Sequence, residues 1–292
     1  MLRGFMKKII ITVILAYSSI ASADLPFYKG DLFYGINNNA KGTKRNQVSD
    51  QFFETTQLLQ LKPAAHHFKA KIKIQNYNKT HENNNYKLEF EDAYQLNPNW
   101  TLGINTFWQN YHGNVVTRSS SKSDNWLVKL FANRNIELTS SSSIYFQLAT
   151  SLQNFKDLSR KDQLFDFAVG YYRESEKYEF GPEINFEFNN SDDKANYNFN
   201  ITPGFYSKYK YSDELFFNLN VYYTWTHYQK VYLTNSTEKE QVGYVASSLQ
   251  TNYRLTKNMH SVLKYNYQLS HSNNNDNDYA IHMGLLGLTY FY

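Results

Sequence analysis

The last fourteen residues, 279–292, read YAIHMGLLGLTYFY, and they constrain the fold more than any other stretch. Counting back in steps of two gives Tyr292, Tyr290, Leu288, Leu286 and Gly284. Successive side chains of a strand point to opposite sides, so these five make one apolar stripe that ends on an aromatic ring. A free strand edge of this kind templates pairing with other chains. A sheet closed into a barrel has no free edge, and in lipid its outward face must be apolar. The competing fold, in which the stretch is the final strand of a soluble sandwich, is disfavoured by the other end of the chain.

Residues 1–23 read as a secretory leader. Lys7 and Lys8 supply the charged start, residues 9–17 a short apolar core, and Ala21-Ser22-Ala23 a small-residue cleavage site before Asp24. The apolar run is too short for a spanning helix, and no later segment is apolar enough to be one. The mature chain is expected to begin at Asp24. Arg3, Lys7 and Lys8 leave with the leader and no acid does, so the formal charge falls from +4 to +1. The pI near 8.8 therefore does not advertise a nucleic-acid partner. A mean hydropathy of -0.63 would suggest a soluble protein. Barrels escape that inference, because each strand is apolar on one side only and the outer loops are polar. Cysteine is absent, which removes disulfides and thiolate metal sites. Aromatics make up 17% of the chain, with 26 Tyr, as expected of interfacial girdles where a ring sits in lipid and its hydroxyl in water.

The remainder, 24–292, reads as one all-β domain, a transmembrane antiparallel up-and-down β-barrel of fourteen strands, with twelve and sixteen as the competing counts. The strands fall at 27–36, 51–61, 67–78, 86–96, 100–111, 125–138 and 143–155, then at 163–173, 178–189, 196–209, 215–233, 242–255, 259–270 and 279–292. Short turns alternate with polar loops, so an even count leaves both termini on the short-turn, periplasmic side. About ten residues per strand suffice to cross a bilayer at a tilt. Pro182 and Pro203 fall inside strands and call for local bulges or turns.

Parity sorts the faces. Phe68, Ala70, Ile72 and Ile74 alternate with Lys69, Lys71, Lys73 and Gln75. Lysine against lipid costs roughly 2–4 kcal/mol at the midplane, so the lysines face inward. The same rule puts Lys87, Glu89 and Glu91 inside, with Glu179, Glu183 and Glu187 of the ninth strand and Lys264 of the thirteenth. A dry core does not hold such charges unpaired, and fourteen strands enclose more space than side chains fill. A wet interior, and hence a channel, follows. Cross-strand ion pairing that fixes register explains Lys69, Lys71, Lys73, Glu89 and Glu91 at least as well as solute selection does. Alternatively, the lysine stripe and the glutamates of the ninth strand set up a field across the lumen.

Catalytic and metal motifs are missing. No His-x-Ser or G-x-S-x-G occurs, and His260-Ser261 and His271-Ser272 are adjacent, so their side chains point apart. Asp192-Asp193 reads as a solvated loop pair. The eight histidines show no ligand spacing, and no cofactor is expected.

Residues 86–113, YKLEFEDAYQLNPNWTLGINTFWQNYHG, and 265–292, YNYQLSHSNNNDNDYAIHMGLLGLTYFY, resemble the fourth-and-fifth-strand hairpin and the last hairpin of the outer membrane protein G porin family. The mature chain is similar to that family in length and layout. The resemblance implies a monomer in the bacterial outer membrane, in contact with lipid and lipopolysaccharide and inserted by the barrel-assembly machinery. It also implies a weakly selective pore for small hydrophilic solutes, including mono- and oligosaccharides. That family closes at acid pH through two lumenal histidines. His271 lies near one of those places, but the facing 241–243 has no histidine, so the repulsion such a switch needs is not evident. Tyr222, Trp225 and Tyr228 are candidate sugar contacts, with interfacial packing as the competing role. Two other classes stay open: a barrel that binds partners through its outer loops, and an outer-membrane lipid enzyme.

Overall fold

A computed structural model describes residues 26–39, 48–81, 84–111, 123–156, 160–193, 196–232, 239–273 and 278–292. The expected leader at 1–23, and much of the loops expected at 37–50, 112–124, 235–240 and 273–278, lie outside these residues. The described chain forms β1 (Phe27–Asn37), β2 (Asp50–Leu61), β3 (His66–Tyr77), β4 (Asn85–Asn97), β5 (Trp100–Tyr111), β6 (Ser123–Thr139) and β7 (Ser142–Phe155). It continues with β8 (Arg160–Glu174), β9 (Tyr178–Ser191), β10 (Asn198–Lys210), β11 (Leu215–Tyr232), β12 (Lys239–Thr256), β13 (Met259–Ser272) and β14 (Tyr279–Phe291). Each strand pairs antiparallel with its neighbours in sequence, and β1 pairs with β14 to close the barrel. The expected strands are all present, in the expected order.

Short turns fix the register at one end, called here the turn end. Between β2 and β3 the His66 N–H donates to the Pro63 carbonyl at 3.0 Å. Between β4 and β5 the Asn97 Oδ1 accepts from the backbone N–H of Asn99 (2.9 Å) and Trp100 (3.1 Å). Between β8 and β9 the Ser175 hydroxyl accepts from the Tyr178 N–H at 3.1 Å. The last two are side-chain caps that Asn and Ser supply readily. The longer connections gather at the opposite, loop end.

The burial pattern is inverted relative to a soluble domain. Leu148, Leu263 and Leu286 are 60%, 59% and 61% exposed, whereas Asn125, Asp162 and Asn252 are 1%, 3% and 3% exposed. The outward face carries aromatic rows at two levels. Tyr94, Trp100, Tyr178 and Tyr209 lie toward the turn end, with Tyr178 and Tyr209 stacked at 5.0 Å. Trp108 and Trp126 form a registered cross-strand pair toward the loop end. An outer surface that is apolar between two aromatic rows is one that lipid covers.

The β1–β14 seam takes three kinds of support. Its ladder runs from Lys29 opposite Phe291 to Asn37 opposite Met283, extended by reciprocal bonds between Tyr28 and Tyr292 at 2.9 Å each. Across it the Thr289 hydroxyl donates to Asp31 Oδ1 at 2.6 Å. On the inside, Phe33, Phe52, Tyr77, Val262 and Leu285 cluster with Met283. Phe52 lies against Gly35 so closely that a Cβ there would sit 2.6 Å from its ring.

The prolines do not create bulges. Pro182 pairs with Phe205, and Pro203 with Ile184, in an unshifted β9–β10 register. The gaps fall on their other sides. The β8–β9 ladder is interrupted between Gly170–Glu183 and Arg173–Phe180, and the β10–β11 ladder between Ile201–Trp225 and Gly204–Tyr222. A strand residue sends its N–H to one neighbour only, so a missing N–H opens one side of the ladder and leaves the other intact. The register shifts that do occur are between Gln95 and Asn97, Glu137 and Thr139, Arg254 and Thr256, all beside turns, and between His227 and Tyr232.

Candidate functional site

The barrel interior gathers the charged residues that alternation assigned to it. On β3 and β4, Lys69 registers with Glu91, Lys71 with Glu89, and Lys73 with Lys87. The ion pairs follow the charges more than the register. Lys69 Nζ lies 2.6 Å from Glu91 Oε1, Lys87 Nζ 2.9 Å from Glu89 Oε2, and Lys73 Nζ reaches across to Glu54 Oε2 on β2 at 3.0 Å. Lys73 turns to β2 because its partner on β4 is another lysine, and like charges directly opposite repel. Asn105 of β5 donates to Glu89 at 3.2 Å and to Glu91 at 3.3 Å, which holds both carboxylates on the wall. On β1, Lys29 pairs with Asp31 at 3.2 Å.

The glutamates of β9 sit in a different setting. Glu179 pairs with Lys208 of β10, and Glu183 accepts from the Tyr145 hydroxyl. Glu187 accepts from Asn200 Nδ2 at 2.7 Å and registers opposite Asp166, which pairs with Lys129 at 3.3 Å. Among the described residues, neither Glu183 nor Glu187 has a cation within ion-pair distance, and neither Lys71 nor Lys264 has an acid within it. In the ring of fourteen, β9 is seven strands from β2, so it stands opposite the wall formed by β1 to β3. The interior thus has an acidic side and a basic side.

The candidate sugar contacts separate by parity. Tyr222 registers with Gly204, Tyr228 with Asn198, and both lie on the inner row. A Cβ on Gly204 would come within 2.7 Å of the Tyr222 ring, so the ring lies flat over the glycine and turns its other face to the interior. Tyr228 is 6% exposed and so offers little surface to a solute. Trp225 is corrected. It registers with Ile201 and Gly243, on the outward row with Tyr223, where it joins the aromatic girdle. An odd number of steps from both tyrosines makes a shared face impossible.

His271 is corrected in the same way. It registers with Gly243 on the outward row, one residue from the inward Ser270 and Ser272, and its side chain is 77% exposed. Its Nδ1 lies 3.4 Å from Asp278 Oδ1. An imidazole placed there cannot aim its charge into the lumen. Asp192 and Asp193 have local duties: Asp192 accepts from the Lys161 N–H at 2.9 Å and Asp193 from Asn196 Nδ2 at 2.8 Å. His66 pairs with Asp92 at 3.0 Å on the outward face, stacked on Phe68 at 5.4 Å.

Sequence reasoning missed the interior apolar cluster on the seam and the rings laid over glycine. Phe131 over Gly103, Tyr145 over Gly170 and Tyr222 over Gly204 share one arrangement. The signal was present: each glycine registers with its ring on the inner row. It also missed Arg160 and Asp162, which form a buried bidentate pair at the loop end that Ser191 joins at 2.6 Å. This pair carries β8 outward to Arg160, beyond the start expected at 163.

No protein-family model and no curated protein sequence matches the chain. Among solved structures it is similar to a bacterial polysaccharide outer membrane secretin, with a TM-score of 0.53 and 10% identity over 91% of this chain and 98% of that one. It is similar to the outer membrane channel DcaP of Acinetobacter baumannii, with a TM-score of 0.53 and 12% identity over 94% and 99% of the two chains. It also resembles the CymD monoaromatic hydrocarbon channel, with a TM-score of 0.53 and 12% identity over 91% and 88%. At this identity the likeness is one of fold: the chain has the closed antiparallel barrel of bacterial outer-membrane proteins.

Proposed function

We propose that the protein is an outer-membrane porin, a water-filled and weakly selective channel for passive diffusion of small hydrophilic solutes. One observation carries this reading. The charged and amide side chains of β3, β4, β9 and β13 face inward while the outer face is apolar between aromatic rows. A fourteen-strand ring is wider than the eight-strand barrel that side chains can fill, so the charged interior is solvated. The ion pairs of Lys69, Lys73 and Lys87 draw these side chains onto the wall and out of the path. In this reading the lumen is lined by Lys69, Lys71, Lys73, Lys87, Glu89, Glu91, Glu179, Glu183, Glu187 and Lys264. The turn end, with both termini of the mature chain, is periplasmic, because short turns face that side in barrels of this kind.

Mono- and oligosaccharides are the proposed solutes, with the flat Tyr222 ring as a stacking surface. The protein acts as a monomer without enzymatic activity, and its affinity is to the outer membrane protein G family. The test is reconstitution of the mature chain in a planar bilayer. Discrete single conductance steps in potassium chloride, together with swelling of proteoliposomes in isotonic glucose or maltose, are expected. A silent bilayer from protein whose folding is verified by heat-modifiable gel mobility overturns the channel reading.

A further inference from the structure

We propose that the lumen holds a binding site for small organic anions, built on Lys264 and Lys71. The inference rests on the channel reading and adds a solute class to it. A recess of about 470 Å³ opens between the inner faces of β1 to β4 and those of β12 and β13. Five lysines line it. Three of them are matched by their own acids: Lys29 by Asp31, Lys69 by Glu91 and Lys73 by Glu54. The fourth acid in the recess, Glu89, is taken by Lys87 at 2.9 Å. Lys71 and Lys264 are left over, and among the described residues neither ammonium has an acid within ion-pair distance.

Lys264 is placed to matter most. It stands directly across from Leu285, which is 4% exposed, and two residues from Val262, which is fully buried. Its other cross-strand neighbour, Gln250, turns its amide to Asn252, donating to Oδ1 at 2.6 Å. A half-buried ammonium with apolar flanks and no acceptor favours an anion that supplies one, and a charge-assisted bond is about twice as strong as a neutral one. Thr56, Gln60 and Gln250 of the recess suit hydroxyls. Glu183 and Glu187, which have no cation within ion-pair distance, are on the far wall and do not compete. The fitting ligand is a polyhydroxylated carboxylate or phosphate of sugar size.

Gluconate, glucose and glucosamine test this, being alike in size and different in charge. Each is added to single open channels in potassium chloride, and binding to the refolded protein in detergent is measured separately by titration calorimetry. Gluconate is expected to bind and to reduce the open-channel current at concentrations about tenfold below those of the other two. Lys264→Gln and Lys71→Gln each weaken the gluconate effect, and the pair together abolish it. Lys69→Gln, whose charge Glu91 already matches, changes it by less than about twofold. Equal effects of the three solutes overturn the site, as does a Lys69→Gln loss equal to that of Lys264→Gln. A silent bilayer with gluconate still bound in calorimetry overturns the channel and leaves the site standing.

Discussion

Ala64 is the one described non-glycine residue with a positive φ, 51°, in the turn between β2 and β3. The left-handed region costs an L-residue about 1–2 kcal/mol, and glycine about 0.5–1 kcal/mol in chain entropy. Ala64→Gly is therefore expected to stabilise the barrel by roughly 0.5–1 kcal/mol, read as a higher urea midpoint in liposomes. The same scale explains why two candidate residues changed sides. Parity carries His271 outward with Leu263, Tyr265, Tyr267 and Leu269, and it separates Trp225 from Tyr222. Alternation alone made both placements legible, and likeness to a family's gate pointed the other way. The contact of His271 with Asp278 lies outside the lumen. His271→Ala is thus expected to leave any pH dependence of single-channel conductance unchanged. A variant that stays open where the parent closes would restore the histidine to a gating role.

At the scale of the strand, the boundaries were legible because period-two alternation stops where Pro, Asn, Ser and Gly begin. The seam was not. Phe33 and Phe52 share the inner row with Asp31 and Glu54, and a rule that sends apolar residues to lipid has no place for them. Their partners are Gly35 and Gly287, which leave room for rings to lie on the inner wall where the ends of the sheet meet. The cluster thus does for β1 and β14 what a loop cannot, since they are joined only by ladder bonds and side chains. Truncating a buried ring costs about 3–5 kcal/mol. Phe52→Ala is expected to lower the temperature at which the folded gel band converts to the unfolded one. Phe205→Ala, on the outer face and 39% exposed, should shift it far less. Equal shifts would mean that the inner cluster does not hold the seam.

Over the whole molecule, the formal charge hides an uneven distribution. Alternation could assign the lysines of β3 and the glutamates of β9 to the interior. It could not show which of them find partners, because Lys73 bypasses its registered neighbour for Glu54 and Glu89 bypasses Lys71 for Lys87. Among the described residues, Lys71 and Lys264 on one side and Glu183 and Glu187 on the other stand without an ion-pair partner. An ion pair at the solvated wall contributes little field beyond a Debye length of about 8 Å, so in the proposed channel the unpaired charges of the mid-wall, these four among them, weigh most in ion selectivity. With these two lysines and two glutamates offsetting one another, the parent protein is expected to show a reversal potential near zero in a tenfold potassium chloride gradient. Glu183→Gln with Glu187→Gln removes the acidic side and should move the reversal potential toward chloride. Glu91→Gln with Lys69→Gln removes a matched pair and should not move it. A chloride shift of the same size from both double variants would mean that pairing on the wall does not silence a charge, and that selectivity follows the bare count of residues in the lumen.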